Sequence, residues 1–280
     1  MSTETKIYEK LLNNLNQTKD KFYPSDLKKS SKAKYYFKDI KDNCYDTPHD
    51  KLDNRARAIY SSATMIYNLL GKSVTINNKS YEVIYEEELP AITPGENKYQ
   101  THKAHLDATL RNDDEIIFVE AKMREWLGQP KKLKNAYLDE NKYLDITTEK
   151  QQFINFFKTI IENSDMELKD YKSIYKKYDA IQMTIHILGI YNFVKLGNNN
   201  KIKSISLINC IWDYPGITQY EKEVEEATDF IKKANSYFKP IFKSLGIDFN
   251  IKYYSFHELK ELIDFSSDKE RLEYLKRYDI

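Results

Sequence analysis

Asp107, Glu120 and Lys122 are the most chemically suggestive group in this sequence. Glu120 and Lys122 sit two residues apart in the apolar run Ile116-Ile117-Phe118-Val119-Glu120-Ala121-Lys122. On a β-strand both side chains leave by one face, while Ala121 enters the packing on the other. Asp107 lies in the preceding apolar run, across the polar turn Arg111–Glu115, and reaches the same face if the two runs pair in register as a hairpin. Two carboxylates beside an ammonium suit a hard divalent cation next to a phosphodiester. Hydrolysis of that bond needs an activated water, neutralised phosphate charge and help for the departing oxygen. In this arrangement Asp107 and Glu120 anchor Mg2+ or Mn2+, and the backbone carbonyl of Ala121 adds a further oxygen. Lys122 stabilises the developing negative charge or tunes the protonation of the water. A strand-end lysine that merely snorkels is the competing account of Lys122, and the two accompanying carboxylates argue against it.

Several other residues bear on the same chemistry. Glu86, Glu87 and Glu88 close the strand-like run before Asp107, and alternation sends Glu86 and Glu88 to one face and Glu87 to the other. Any one of them is either a second metal-site acid or part of a solvated strand end. Asp113, Asp114 and Glu115 read as solvent-facing turn charges. Gln182 and His186 stand at i and i+4 on one face of an apolar helical run. Packed against the strands, that helix presents Gln182 to the site, where it orients Lys122 or a phosphate. For His186 alone, a satisfied buried histidine is the simpler account. His102 and His105 precede Asp107, but their spacing and the lack of a cysteine pair exclude zinc. Lys131, Lys132 and Lys134, with Lys201 and Lys203, are candidate phosphate contacts, an ordinary solvated face being the alternative.

The elements that must position these residues follow from periodicity. Helical spacing runs over residues 4–17 and 54–70, with Gly71 as a stop for the second. Residues 19–50 read as an irregular or weakly helical arm. Val74–Ile76, the Asn77-Asn78 turn and Tyr81–Leu89 form a strand pair, followed by a loop over Pro90–Gln100. The motif strands span about 103–110 and 115–123. Residues 124–178 form an elaboration with an amphipathic helix near 150–162. An apolar helix at 178–193 and a buried strand at 204–212 come next, then a helix at 219–238, a strand at 247–254 and helical segments at 256–264 and 268–278. This order predicts a mixed sheet with flanking helices.

Composition narrows the class. With 44 Lys and Arg against 43 Asp and Glu, attraction to nucleic acid must come from local patches. The 41% hydrophobic content supplies a substantial core. Cys44 and Cys210 give neither a disulfide framework nor metal-ligand spacing, and Met1–Lys6 is polar. No apolar stretch is long enough to span a bilayer, so a cytoplasmic setting with no membrane partner is expected. The 23 tyrosines, with abundant Lys, Asn and Ile, are read as codon bias and carry no functional weight.

Together these residues resemble the PD-(D/E)xK nuclease superfamily. Closer still, several segments are similar to the bacterial PGN_0703-like restriction endonucleases: Tyr85-Glu86-Glu87-Glu88-Leu89-Pro90, Leu106-Asp107-Ala108, Val119-Glu120-Ala121-Lys122-Met123, Glu125-Trp126-Leu127 and Tyr178-Asp179-Ala180-Ile181-Gln182-Met183. His186, Tyr191-Asn192 and the upstream Ser61-Ser62-Ala63 with Asn68 extend the similarity, which covers about residues 55–214. The resemblance implies metal-ligand roles for Asp107 and Glu120, a catalytic lysine at Lys122, an accessory acid at Glu86 and a supporting Gln182. It also implies an α/β fold with a restriction-endonuclease-like core, a mixed β-sheet flanked by helices, helical insertions and a C-terminal α/β extension. One domain then occupies 1–280, with its core at about 54–214, an N-terminal arm at 1–53 and a C-terminal elaboration at 215–280. The expected function is a divalent-metal-dependent DNA endonuclease of a restriction or phage-defence system, using Mg2+ with Mn2+ as a substitute, its partner DNA and a homodimer left open. Two rivals remain open: a repair or recombination nuclease acting on branched or single-stranded DNA, and an inactive DNA-binding module with the nuclease fold.

Overall fold

A computed structural model describes residues 3–14, 36–46, 54–93, 103–124, 128, 130–197 and 201–279. The chain builds a mixed six-stranded sheet flanked by helices. Its antiparallel part is β1 (Ser73–Ile76), β2 (Lys79–Pro90), β3 (Lys103–Arg111) and β4 (Glu115–Lys122), each pairing with the next. Asn77 and Asn78, with φ of 49° and 65°, make the left-handed two-residue turn that a tight hairpin requires. Between β4 and the rest of the sheet the chain forms a two-stranded ladder, β5 (Leu133–Lys134) with β6 (Asp170–Tyr171), and two helices, α3 (Lys150–Thr159) and α4 (Ala180–Leu196). Strand β7 (Ser204–Ile211) then pairs parallel to β4, and β8 (Asp248–Ser255) pairs parallel to β7 after the long helix α5 (Thr218–Ser244). Parallel neighbours need such long crossovers. The unbroken apolar run of β4 is explained by its place inside the sheet, buried on both faces.

Two hydrophobic cores lie on the two faces. One joins α1 (Thr3–Asn14), α2 (Ser62–Leu70), α6 (Phe256–Glu261) and α7 (Lys269–Leu275) to the sheet through Met65, Leu69, Val119, Cys210, Phe256 and Leu275. The other packs α3, α4 and α5 through Phe153, Ile187, Phe118, Leu207, Phe230 and Phe238. Along β2, Tyr81, Val83 and Tyr85 enter the first core, yet Leu89, at the same parity, enters the second. The break falls at Glu86, whose φ of 52° is left-handed and interrupts the alternation. β3 changes sides in step: Ala104 and Leu106 face the second core, Ala108 and Leu110 the first, and Asp107 stands at the crossing. Helix α4 presses closely on this region, because a Cβ at Gly189 would lie 2.8 Å from Cβ of Ala104 and 3.1 Å from Cβ of Leu89.

The strands match the expected spans closely, while several helices differ. The helix expected over 54–70 divides into a 3-10 turn (Asn54–Arg57) and α2. Ala58 bridges Tyr36, and Ser61 caps α2 by accepting from the Thr64 N–H at 3.2 Å. The helix expected to stop at 238 runs on to Ser244 through Pro240, driven by the burial of Phe238 and Phe242. The C-terminal segments are shorter than expected, α7 ending in a 3-10 turn (Lys276–Tyr278). Most of the arm at 19–50, most of the loop at 90–100, and Glu125-Trp126-Leu127 lie outside the described residues. Among the described residues no helix is long and apolar enough to cross a membrane.

Candidate active site

The acids of the motif fall on one line across the sheet. In the β2–β3 ladder Tyr85 opposes Ala108 and Glu87 opposes Leu106, which sets Glu86 opposite Asp107. In the β3–β4 ladder Ala108 opposes Val119, so continuing that register sets Asp107 opposite Glu120, and Glu120 in turn opposes Asn209 on β7. The β3–β4 pairing ends at Ala108 and Val119. Beyond it the Asp107 side chain takes over, its Oδ2 accepting from the Ala121 N–H at 2.7 Å. Glu120 and Lys122 share the face of Ile116 and Phe118 toward α4, while Ala121 packs with Ile117 and Val119 on the other side.

Glu120 is the hub. Its Oε1 accepts from Lys122 Nζ at 2.5 Å and from Gln182 Nε2 at 2.6 Å, and the Gln182 Oε1 accepts from the same ammonium at 2.9 Å. Helix α4 delivers Gln182 because Asp179 caps its first turn, its carboxylate accepting from the Gln182 backbone N–H at 3.1 Å. One turn further on, His186 Nε2 lies 3.0 Å from Glu120 Oε2, although neither ring nitrogen has a directed hydrogen bond. His186 is therefore an electrostatic neighbour of the hub, where a self-contained buried histidine was the simpler expectation. The Asn209 Nδ2 donates to the Glu120 backbone carbonyl at 3.1 Å and fixes the strand behind it.

Charge follows geometry. Burial opposes ionisation of Glu120, but the Lys122 charge, with His186 beside it, outweighs that and pulls the carboxyl down to about 2. Asp107 moves the other way. Burial and then the Glu120 charge raise it well above the ordinary carboxylate range, against the opposing pull of Lys122 and the Ala121 N–H, and Glu86 adds to the rise. Neighbouring carboxylates of the same site are thus pushed in opposite directions.

The structure separates the three consecutive glutamates. Glu87 pairs with Arg111, and Glu88 pairs with Lys103 at 2.6 Å near His105 on the exposed side, leaving Glu86 beside Asp107. Glu115 corrects the expectation of a solvent-facing charge: it is half-buried and accepts from Tyr81 Oη at 2.7 Å, Lys79 Nζ at 2.9 Å and Ser204 Oγ at 3.3 Å. Asp113 and Asp114 are exposed as expected. Lys131 lines a cavity with Lys122, whereas Lys132 and Lys134 are simply exposed. Lys201 and Lys203 precede the β7 end that pairs with Glu115, roughly 23 Å from Lys122 at ~3.3 Å per residue, so they cannot serve the same phosphate. Asn209 was not anticipated. Its signal was a polar side chain inside the apolar run Ile205–Ile211, at the parity that faces α4.

Among the described residues no three His, Cys, Asp or Glu side chains converge as a ready-made metal cage. Mg2+ is commonly held through one or two carboxylates together with water and substrate phosphate, so the oxygen donors of Asp107 and Glu120 are a sufficient protein contribution. Carboxylate oxygens brought together from adjacent strands are the hard donors that such a cation prefers. Scans against family models, curated proteins and solved structures return no match for this sequence.

Proposed function

We propose that the protein is a divalent-metal-dependent endonuclease acting on DNA, of the kind that serves restriction or phage defence. The observation that carries this reading is the alignment of Glu86, Asp107 and Glu120 on three adjacent strands, with Lys122 held by both Glu120 and Gln182. Asp107 and Glu120 would hold Mg2+ or Mn2+, which when bound supplies Lewis-acid stabilisation of phosphate charge. Lys122 places a cation where negative charge develops, and Gln182, bonded to both that ammonium and Glu120, fixes their mutual orientation. Glu86 supplies a further acid next to Asp107.

A second reading, a DNA-binding module without catalysis, draws on the occupation of both Glu120 oxygens by Lys122, Gln182 and His186. Incubation of plasmid and phage DNA with Mg2+, Mn2+ or EDTA decides between them. Metal-dependent nicking or linearisation that Lys122→Ala abolishes supports the nuclease. An inactive wild type across metals and DNA forms, with DNA binding retained, supports the module.

A further inference from the structure

The cavity beside Lys122 has no role in the metal chemistry just described. It has a volume of about 180 Å3 and lies between the end of β4, the start of α4 and α5. Tyr178, Met183 and Pro130 contribute its apolar wall, Lys122 stands at one side, and Lys131 and Lys177 supply two further ammonium groups. Two of its lining residues hold polar atoms that are buried without a hydrogen-bond partner: the Tyr178 hydroxyl and the Asn209 Oδ1. Each residue is 1% exposed. The Asn209 amide orientation is set by chemistry, because its Nδ2 faces the Glu120 carbonyl and only a donor can do so. Its oxygen is therefore the group left to accept. An acceptor left unmet is destabilising, and a ligand carrying an N–H would relieve it.

The chemistry of the wall discriminates among occupants. A bare anion gains from the lysines but leaves the aromatic and thioether wall without a partner. A double helix is far too wide to enter. A planar heterocycle attached to a phosphodiester matches both the apolar wall and the lysines: its ring lies against Tyr178 and Met183, its flanking phosphates meet the ammonium groups, and an exocyclic amino group is directed to Asn209 Oδ1. Adenine and cytosine carry that amino group, whereas the single edge donor of thymine, its N3–H, lies between two carbonyls that approach Asn209 Oδ1 unfavourably.

We propose that this cavity receives one unstacked nucleotide of the substrate strand next to the scissile position, with preference for adenine or cytosine over thymine. The proposal deepens the nuclease reading and rests on it for the word substrate, but the nucleotide site itself is testable alone. Its consequence is that cleavage requires a base to leave the duplex, so frayed, bulged or single-stranded sites are cut faster than perfect duplex.

The test uses the full chain labelled with methyl-13C methionine, the Met183 methyl signal being assigned with Met183→Leu. Metal-free protein is titrated with dAMP, dCMP, dTMP and inorganic phosphate. The Met183 signal is expected to move with dAMP and dCMP, to respond about fivefold more weakly to dTMP, whose N3–H brings two carbonyls toward the same acceptor, and to stay still with phosphate. Asn209→Leu should erase the preference, the Met65 and Met123 signals reporting that the fold is kept. A Met183 signal unmoved by any nucleotide, moved equally by dTMP, or moved equally by phosphate overturns the proposal. Plasmid cutting measured in parallel keeps the two readings apart. Cutting with a silent Met183 removes the nucleotide site and leaves the nuclease, while a responsive Met183 with no cutting in either metal removes the nuclease and leaves the site.

Discussion

Gln182 donates to the same Glu120 oxygen that receives the Lys122 ammonium, and its own amide oxygen accepts from that ammonium. Three groups from a strand and a helix thus close a ring of hydrogen bonds, and none can move without disturbing the other two. Replacing Gln182 with Leu removes two of the three links while keeping the side chain's bulk. Cleavage should fall 10- to 100-fold, in line with the usual effect of removing an outer partner of a metal ligand. The check is the initial rate of plasmid nicking, with circular dichroism to show an unchanged fold.

The carboxylates and the lysine should separate in their effects. Asp107→Ala or Glu120→Ala should lose both cleavage and most of the heat of Mn2+ binding, because an anionic ligand is gone. Lys122→Ala should lose cleavage but bind Mn2+ as well as or better than wild type, since a competing positive charge is gone. Calorimetric titration of the three variants measures this. Wild-type cutting by Lys122→Ala would sink the proposed site.

Glu86 occupies a left-handed backbone conformation. Comparing Glu86→Gly with Glu86→Ala cancels the loss of the side chain and leaves the backbone cost, which is about 1–2 kcal/mol for a residue with a Cβ. The Gly variant should therefore be the more stable of the two by about that amount in urea denaturation. Equal midpoints would show that the strand relaxes around position 86.

Glu115 makes stability depend on pH. Burial works against its ionisation, but the hydrogen bonds from Tyr81 and Lys79 outweigh it and hold its carboxyl below the ordinary 4.5. A lowered folded-state value means that the stabilisation is fully present above the unfolded value and disappears as pH falls through the folded one. Glu115→Gln should cost on the order of 1 kcal/mol at neutral pH. The gap from wild type should begin to narrow as pH falls through the unfolded value of about 4.3 and should close below the lower folded one. Thermal melts across pH 3–7, taken at roughly unit intervals through the carboxylate range, provide the measurement.

Gly189→Ala is a helix-favouring change that should nonetheless destabilise. The new methyl would overlap Ala104 and crowd Leu89, forcing α4 off the sheet. Overpacking of this kind costs about 1–3 kcal/mol, more than the gain in helix propensity of about 1 kcal/mol. Because Gln182 rides on the same helix, nicking should slow as well. A melt at or above the wild-type temperature would contradict the close approach.

The strands were legible because their signals are local. Asn77-Asn78 announces a hairpin, and Glu120-Ala121-Lys122 fixes which side chains share a face wherever the strand pairs. Gln182 was legible for the same reason, as one position on an apolar helix. What escaped depends on tertiary partners. The side change at Glu86 comes from a backbone angle that no residue type there announces, and simple alternation placed Glu86 and Glu88 together when they part. Glu115 looked like one more turn charge until Tyr81 and Ser204, from two other strands, closed on it. The helix expected to end at 238 carries on through Pro240, because the buried Phe238 and Phe242 anchor α5.

The crossing of β2 and β3 from one core to the other has a consequence for change over time. Glu86 and Asp107 stand where neither core claims the side chain, so exchanging one acid for another there leaves the packing of Tyr85, Ala108, Leu89 and Leu106 in place. Chemistry at the seam can be retuned without dismantling the scaffold. Glu120, held in the second core by Lys122, Gln182 and His186, has no such latitude. Divergent descendants of this chain should drift first at position 86, and abandon position 120 only together with its three companions.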